Sequence, residues 1–167
     1  MIVSSLTWRL VSLIAAPFLP KFFGEAMGRV LPYADFVFGN ESEALAYGEA
    51  NGFPTATVEE VALKIAALPK ASGTRARVVV ITQGADPVVV ANGGTITLFP
   101  NTPIPKEEMI DFNGAGDAFV GGFISRLVEG ESIAECVNCG QWAARQIIKR
   151  SGCTFPEGPS GYTAGTL

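Results

Sequence analysis

The chain has 167 residues, 48% of them hydrophobic and 17% charged, with a formal net charge of -4. That balance suits one domain with a buried core and excludes a disordered polyelectrolyte, while the lack of a basic cluster removes the electrostatic footprint that nucleic-acid binding needs. Three cysteines, Cys136, Cys139 and Cys153, are too few and too late in the chain to frame a secreted disulfide scaffold.

Residues 1–20 are strongly apolar and could pass for a signal-peptide core. Arg9 interrupts the run, Pro17 and Pro20 break it, and no uninterrupted stretch reaches the roughly 18 residues that a spanning helix needs. A buried strand leading into a loop is expected there, with no membrane partner. From Pro20 to Val30, polar and apolar residues alternate at helical spacing with Phe22, Phe23, Ala26 and Met27 on one side, which predicts a helix on a sheet face. Asp35-Phe36-Val37-Phe38 is a short buried strand that Gly39 releases into a new element, a βα junction of the kind where open α/β sheets place their ligands.

The next helix begins Asn40-Glu41-Ser42-Glu43, an N-cap Asn with an acidic residue three positions on, which is a capping-box variant and needs no function to explain it. Thr57-Val58-Glu59-Glu60 opens another helix with a capping box and an apolar stripe of Val58, Val61, Ala62, Ile65 and Leu68, stopped by Pro69. After a polar loop over 71–75, the β-branched run from Arg77 to Ile81 reads as a central parallel strand ending in Thr82-Gln83-Gly84, on its own an ordinary strand-end turn. Residues 87–91 and 95–99 read as two strands joined by Asn92-Gly93-Gly94, an antiparallel edge hairpin. Residues 100–106 carry three prolines and should be irregular.

Asp111-Phe112-Asn113-Gly114-Ala115-Gly116-Asp117 follows, and after it Phe119, Val120, Phe123, Ile124, Leu127 and Val128 recur at three-and-four spacing. This is a glycine turn feeding a helix N-terminus, whose unpaired N–H groups and positive dipole end suit phosphate oxygens. Asp117, in the first turn, is either an Asp favoured by that dipole alone or a general base beside an anion hole. A turn at Gly130 leads to a third capping box, Ser132-Ile133-Ala134-Glu135. It opens a last helix with Ile133, Cys136, Val137, Ala144, Ile147 and Ile148 on its buried stripe. Cys136 and Cys139 form a C-x-x-C, yet with no second pair and no histidine a zinc site would lack ligands, so two buried thiols one turn apart are expected. A dinucleotide-binding oxidoreductase is disfavoured, because no G-x-G-x-x-G with a following acidic residue is present.

The stretch from Asp111 to Phe123, Asp-x-Asn-Gly-Ala-Gly-Asp-Ala-Phe-Val-Gly-Gly-Phe, resembles the C-terminal signature of the ribokinase-like (PfkB) carbohydrate and nucleoside kinases. In detail it is like the branch of that family that phosphorylates adenosine. Ala15-Ala16-Pro17-Phe18 and the ending from Arg150 to Pro156 look like segments of the same branch. The resemblance implies an α/β fold: a ribokinase-like three-layer α/β/α domain with a mostly parallel sheet and an antiparallel edge hairpin. Residues 1–9 are unmatched, 10–157 correspond to the C-terminal, ATP-binding part of the kinase domain, and 158–167 form a tail. It also implies that the chain lacks the family's N-terminal half, with most of the acceptor pocket.

For the site, the resemblance implies ATP as co-substrate, adenosine as acceptor, Mg2+, and K+ as a candidate monovalent cation. Asp117 would be the catalytic base, with Gly114, Ala115 and Gly116 as the anion hole. Asn40 and Glu43 would stand by magnesium and phosphate, Glu43 through water. Thr82 and Gly84 would meet the ATP phosphates, and Gln141 the adenine edge, although packing of Gly140, Ala143 and Ala144 against Gly121, Gly122 and Ser125 explains the small residues of the last helix equally. Asp111 and the Phe112 carbonyl would bind the monovalent cation, with the bulk of Phe112, where the family has a small residue, as a departure. The resemblance implies a cytoplasmic protein, the nucleus also being open, with small-molecule partners and a monomeric full-length form. Self-association of a shorter chain, a catalytically silent nucleotide-binding remnant or partner subunit, and a kinase for another sugar or nucleoside stay open as alternatives.

Overall fold

The computed structural model describes residues 12–14, 24–53, 56–71, 75–155, 157–158 and 161–165. The elements in chain order are β1 (Ser12–Ile14), α1 (Gly24–Val30), β2 (Phe36–Asn40), α2 (Glu41–Ala50), α3 (Val58–Ala67), β3 (Val78–Gln83), β4 (Asp86–Asn92), β5 (Thr95–Phe99), α4 (Ala115–Val128) and α5 (Ile133–Ile148). Short 3-10 turns occupy Leu31–Tyr33 and Lys106–Glu108. The five strands form one sheet in the order β1-β2-β3-β4-β5. β1 runs parallel to β2, with Leu13 opposite Val37. Two-residue connections, Gly84-Ala85 and Gly93-Gly94, join β3 to β4 and β4 to β5, and neighbouring strands joined so tightly must run antiparallel. The predicted hairpin is therefore present, and the sheet is mixed. Gly93 and Gly94 both take positive φ, 56° and 82°, the geometry a two-residue hairpin turn demands.

Of the apolar N-terminal run, the described part is the strand Ser12–Ile14; the loop expected after it, with Ala15, Ala16, Pro17 and Phe18, lies outside the described residues, as do Phe22 and Phe23. The helix predicted from Pro20 is described from Gly24, and Met27 is buried as expected.

Contacts divide the chain into two compact units, Met1–Ile81 with Val89–Thr97, and Thr82–Val88 with Leu98–Leu167. The first is organised by period-two strands. Val37, Val79, Ile81, Val89 and Ala91 pack with Met27, Leu31, Ala44 and the α3 stripe Val58, Val61, Ala62 and Ile65. The intervening Phe36, Phe38, Val78, Val80 and Val90 are buried as well, as strands covered on both faces require. Arg77 is 1% exposed, and among the described residues no carboxylate forms an ion pair with it, although the charge of Asp35 acts on it from a distance; it donates to five carbonyls, those of Ala34, Ile65, Leu68, Leu31 and Pro69, at 2.7–3.3 Å. The last turn of α3 and the 31–33 turn thus share one cation, which the negative ends of their peptide dipoles favour. Lys70 pairs with Asp35 beside it.

The second unit is built on α4 and α5. Ala118, Phe119, Val120, Phe123 and Leu127 are the buried face of α4, and Cys136, Val137, Cys139, Ala143 and Ile147 that of α5. Val128, expected on the buried stripe, is exposed, because the helix ends there and the stripe has rotated off the contact. Gly122 and Gly140 let the helices approach. A Cβ on Gly122 would stand 2.6 Å from the Cys139 carbonyl, and one on Gly140 would stand 2.8 Å from the Phe119 carbonyl. Gly121 faces open space. Cys136 and Cys139 are free and buried, and burial, with Cys139 adding to it, pushes the Cys136 thiol up to about 12, so Cys136 is no ready nucleophile. The box expected at the start of α5 is half formed: Ser132 Oγ accepts from the Glu135 N–H at 3.2 Å, but the Glu135 carboxylate takes the Tyr162 hydroxyl.

Candidate active site

The loop into α4 is fixed at three points, all within the second unit. The N–H groups of Ile110 and Asp111 donate to the Ile148 carbonyl at 2.8 and 3.2 Å, at the C-terminal end of α5. The Asp111 carboxylate accepts from the Asn113 N–H at 3.0 Å and, with its other oxygen, from the Gly152 N–H at 3.1 Å. Those N–H groups, Asn113 first and Gly152 next, hold its carboxyl below the usual carboxylate range. Gly114 is the third point. Its φ is +80°, and a Cβ there would stand 2.5 Å from Cys153 Sγ, so the position favours glycine on two separate grounds.

No side chain caps α4. Its first intrahelical bond runs from the Ala118 N–H to the Gly114 carbonyl at 2.9 Å. Ahead of it, the Ala115 N–H closes a long turn onto the Phe112 carbonyl at 3.3 Å, whereas among the described residues no carbonyl takes the N–H of Gly114, Gly116 or Asp117. Nothing within 4 Å would obstruct a Cβ on Gly116, and Asp117 is exposed in the first helical turn, immediately before the buried Ala118. A helix end with donors uncommitted and an exposed carboxylate beside them can bind an anion and take a proton next to it. Phe112 is 65% exposed, so its bulk is turned out of the turn, and its carbonyl already accepts the Ala115 N–H.

Thr82 and Gly84 lie in the same unit, at the end of β3, where Gly84 takes φ +57°. Gln141, expected at an adenine edge, is 4% exposed. Its amide NH2 is spent inside the protein, on the carbonyls of Phe99 and Pro100 and on Asn101 Oδ1, at 3.3, 3.1 and 2.8 Å. Its Oε1 is buried without a partner among the described residues. Gly140 and Ala143 serve helix packing, the plainer of the two readings open from sequence.

Asn40 and Glu43 belong to the first unit and are paired with each other. The Asn40 N–H donates to Glu43 Oε2 at 2.8 Å and the Glu43 N–H donates to Asn40 Oδ1 at 2.9 Å, a complete capping box. Glu43 is 7% exposed, and burial raises its carboxyl above the ordinary value, which the Asn40 N–H partly offsets. One carboxylate carried at such a cost, with no basic partner among the described residues, fits a hydrated Mg2+ held mainly by phosphate oxygens. Among the described residues no three His, Cys, Asp or Glu side chains come together as an all-protein metal cage. Within the second unit, sequence reasoning missed Asn101, which meets Gln141, and Cys153, which stands against Gly114. Nothing in their local spacing signals them, since each meets its partners across 15 residues or more of chain.

A pfkB family carbohydrate kinase model matches residues 5–159, and the chain belongs to that family. It is similar to adenosine kinase 2 of Arabidopsis thaliana, 55% identical over 146 residues that make up 87% of this chain and 42% of the relative. Among solved structures it resembles Anopheles gambiae adenosine kinase in complex with P1,P4-di(adenosine-5) tetraphosphate, with a TM-score of 0.80 and 46% identity, over 86% of this chain and 42% of that one. It also resembles Schistosoma mansoni adenosine kinase in complex with 2-fluoroadenosine, with a TM-score of 0.85 and 38% identity, over 89% of this chain and 44% of that one. The fold is thus the ribokinase-like one expected, and the chain spans less than half the length of these relatives.

Proposed function

We propose that this chain carries the ATP-phosphate side of an adenosine kinase, transferring the γ-phosphoryl group of ATP to the 5'-hydroxyl of adenosine to give ADP and AMP. One observation carries the reading: the uncapped N-terminus of α4 at Gly114, with the exposed Asp117 carboxylate in its first turn. The Gly114 and Gly116 N–H groups cradle the transferring phosphoryl, and the Ala115 N–H joins them by releasing its long bond to Phe112. Asp117 accepts the hydroxyl proton as the new O–P bond forms and the bond to the ADP oxygen breaks. Phosphoryl transition states are loose, so its position matters more than its basicity.

Asn40 orients Glu43, whose carboxylate would hold Mg2+ through water, and Thr82 and Gly84 would lie along the ATP phosphates. The metal when bound would neutralise phosphate charge. Asp111 braces the anion loop, and with the Phe112 carbonyl it offers oxygens to a K+ ion. The partners on this reading are small molecules and the compartment is the cytoplasm; among the described residues no helix is long and apolar enough to cross a membrane.

The second reading, left open from the sequence, is a nucleotide-binding subunit without turnover of its own. One experiment separates them: AMP formation from ATP and adenosine, with ATP affinity by calorimetry, for the wild type and Asp117→Asn. Adenosine-dependent turnover that falls by about 10³ or more in the variant, at unchanged ATP affinity, supports the kinase reading. Binding without turnover supports the second reading, and equal turnover in both proteins removes Asp117 from the role.

A further inference from the structure

Asn101 is half-buried in the segment between β5 and α4, and its side chain is held from two sides. Gln141 Nε2 donates to Asn101 Oδ1 at 2.8 Å, and Asn101 Nδ2 donates to the carbonyls of Gly84 and Asp86 at 3.0 and 2.5 Å. An amide nitrogen can only donate, so the bond from Gln141 fixes which end of the Asn101 amide is oxygen and turns its NH2 group onto the β3–β4 turn. Gln141 is itself oriented by the Phe99 and Pro100 carbonyls, and among the described residues its Oε1 is buried without a partner. An orphan acceptor of that kind is destabilising, yet flipping the amide to relieve it would set oxygen against three acceptors. The orientation is therefore determined.

We infer that Asn101, oriented by Gln141, is a positioning residue for the Thr82-Gln83-Gly84 turn, holding the Gly84 carbonyl and that of Asp86 just beyond it so that the turn presents a fixed surface to the nucleotide phosphates. The inference rests on the reading above that this turn lies along ATP. It assigns Gln141 to the turn rather than to the base. It also accounts for a hydrogen-bonded chain that runs from α5 through Asn101 to Gly84 and Asp86, all within one compact unit.

Asn101→Asp is the informative variant. It keeps the shape and the acceptor for Gln141 but replaces the NH2 group by an oxygen facing two carbonyls. Amide hydrogen exchange on the ATP-free chain should accelerate at least tenfold over residues 83–87 and stay unchanged over 115–128. ATP affinity by calorimetry should fall about tenfold, with Thr82→Val adding little in the Asn101→Asp background and more in the wild type. Unchanged exchange at 83–87 overturns the relay. Accelerated exchange with unchanged ATP affinity overturns its role in the site. A wild-type chain that binds no ATP overturns the nucleotide reading, and the inference with it, while the exchange result still reports on the relay alone.

Discussion

Replacing Gly114 by alanine perturbs the anion loop in two ways that can be measured apart. At φ +80° an L-residue carries roughly 1–2 kcal/mol of backbone strain. The new methyl would also lie 2.5 Å from Cys153 Sγ and 3.2 Å from Cys153 Cβ. Cys153 is exposed and can turn aside, at about 0.5–1.5 kcal/mol for leaving its rotamer well. The unfolded-state entropy that Gly→Ala ordinarily removes does not rescue a site whose conformation alanine resists. The expected loss is about 2–3 kcal/mol, and for a chain of this size roughly 5–10 °C in Tm. In a Cys153→Ala background the clash with Sγ disappears, while the 3.2 Å approach to Cβ and the backbone strain remain, so the same change should cost less there, about 1–2 kcal/mol. Urea unfolding of the four proteins closes the cycle. ATP affinity should fall at least tenfold in both alanine-114 proteins, because the loop's N–H groups are displaced. Equal costs in the two backgrounds would refute the contact with Cys153, and full stability with full ATP affinity would refute the anion-loop geometry.

Two other outcomes follow from the electrostatics. Glu43→Gln should keep the capping box, since glutamine serves equally as its third residue, and should leave Tm within about 2 °C of wild type or slightly above it, because a buried charge is removed. Affinity for ATP measured with Mg2+ should drop about tenfold while metal-free affinity stays put; a destabilised variant with unchanged metal dependence would leave Glu43 as a cap and nothing more. Asp111 has a depressed carboxyl in the folded state, so its contribution to stability is complete above the unfolded value of about 3.9 and is lost as the pH falls through the folded one. The stability difference between wild type and Asp111→Asn should then be flat from pH 7 to about pH 5 and shrink below about pH 4, as read from urea midpoints; a difference independent of pH would show that the charge plays no part.

Local signals carried much of the architecture. Thr57 and Glu60, Asn40 and Glu43, the Asn92-Gly93-Gly94 turn and the glycine turn before α4 each depend on neighbours within a few residues, and each forms. Features that depend on distant chain were invisible. Arg77 looked like the first residue of a strand; its burial is set by carbonyls from α3 and the 31–33 turn, brought to it by the fold. Glu135 read as the second half of a box, but Tyr162, 27 residues on, offers its hydroxyl instead, and a direct side-chain partner displaced the local one. Gln141 shows the same limit at the site. Its position on α5 was legible, whereas the direction of its amide follows from Asn101 and the Phe99 and Pro100 carbonyls, 40–42 residues earlier.

The account stands on the free N–H groups at the start of α4. Titrating the 15N-labelled chain with ATP and Mg2+ while following its amide resonances tests this directly. The largest shifts should fall on Gly114, Ala115, Gly116 and Asp117, and adenosine, which has no phosphate, should leave them in place. ATP binding that moves other amides and spares these four would contradict the account.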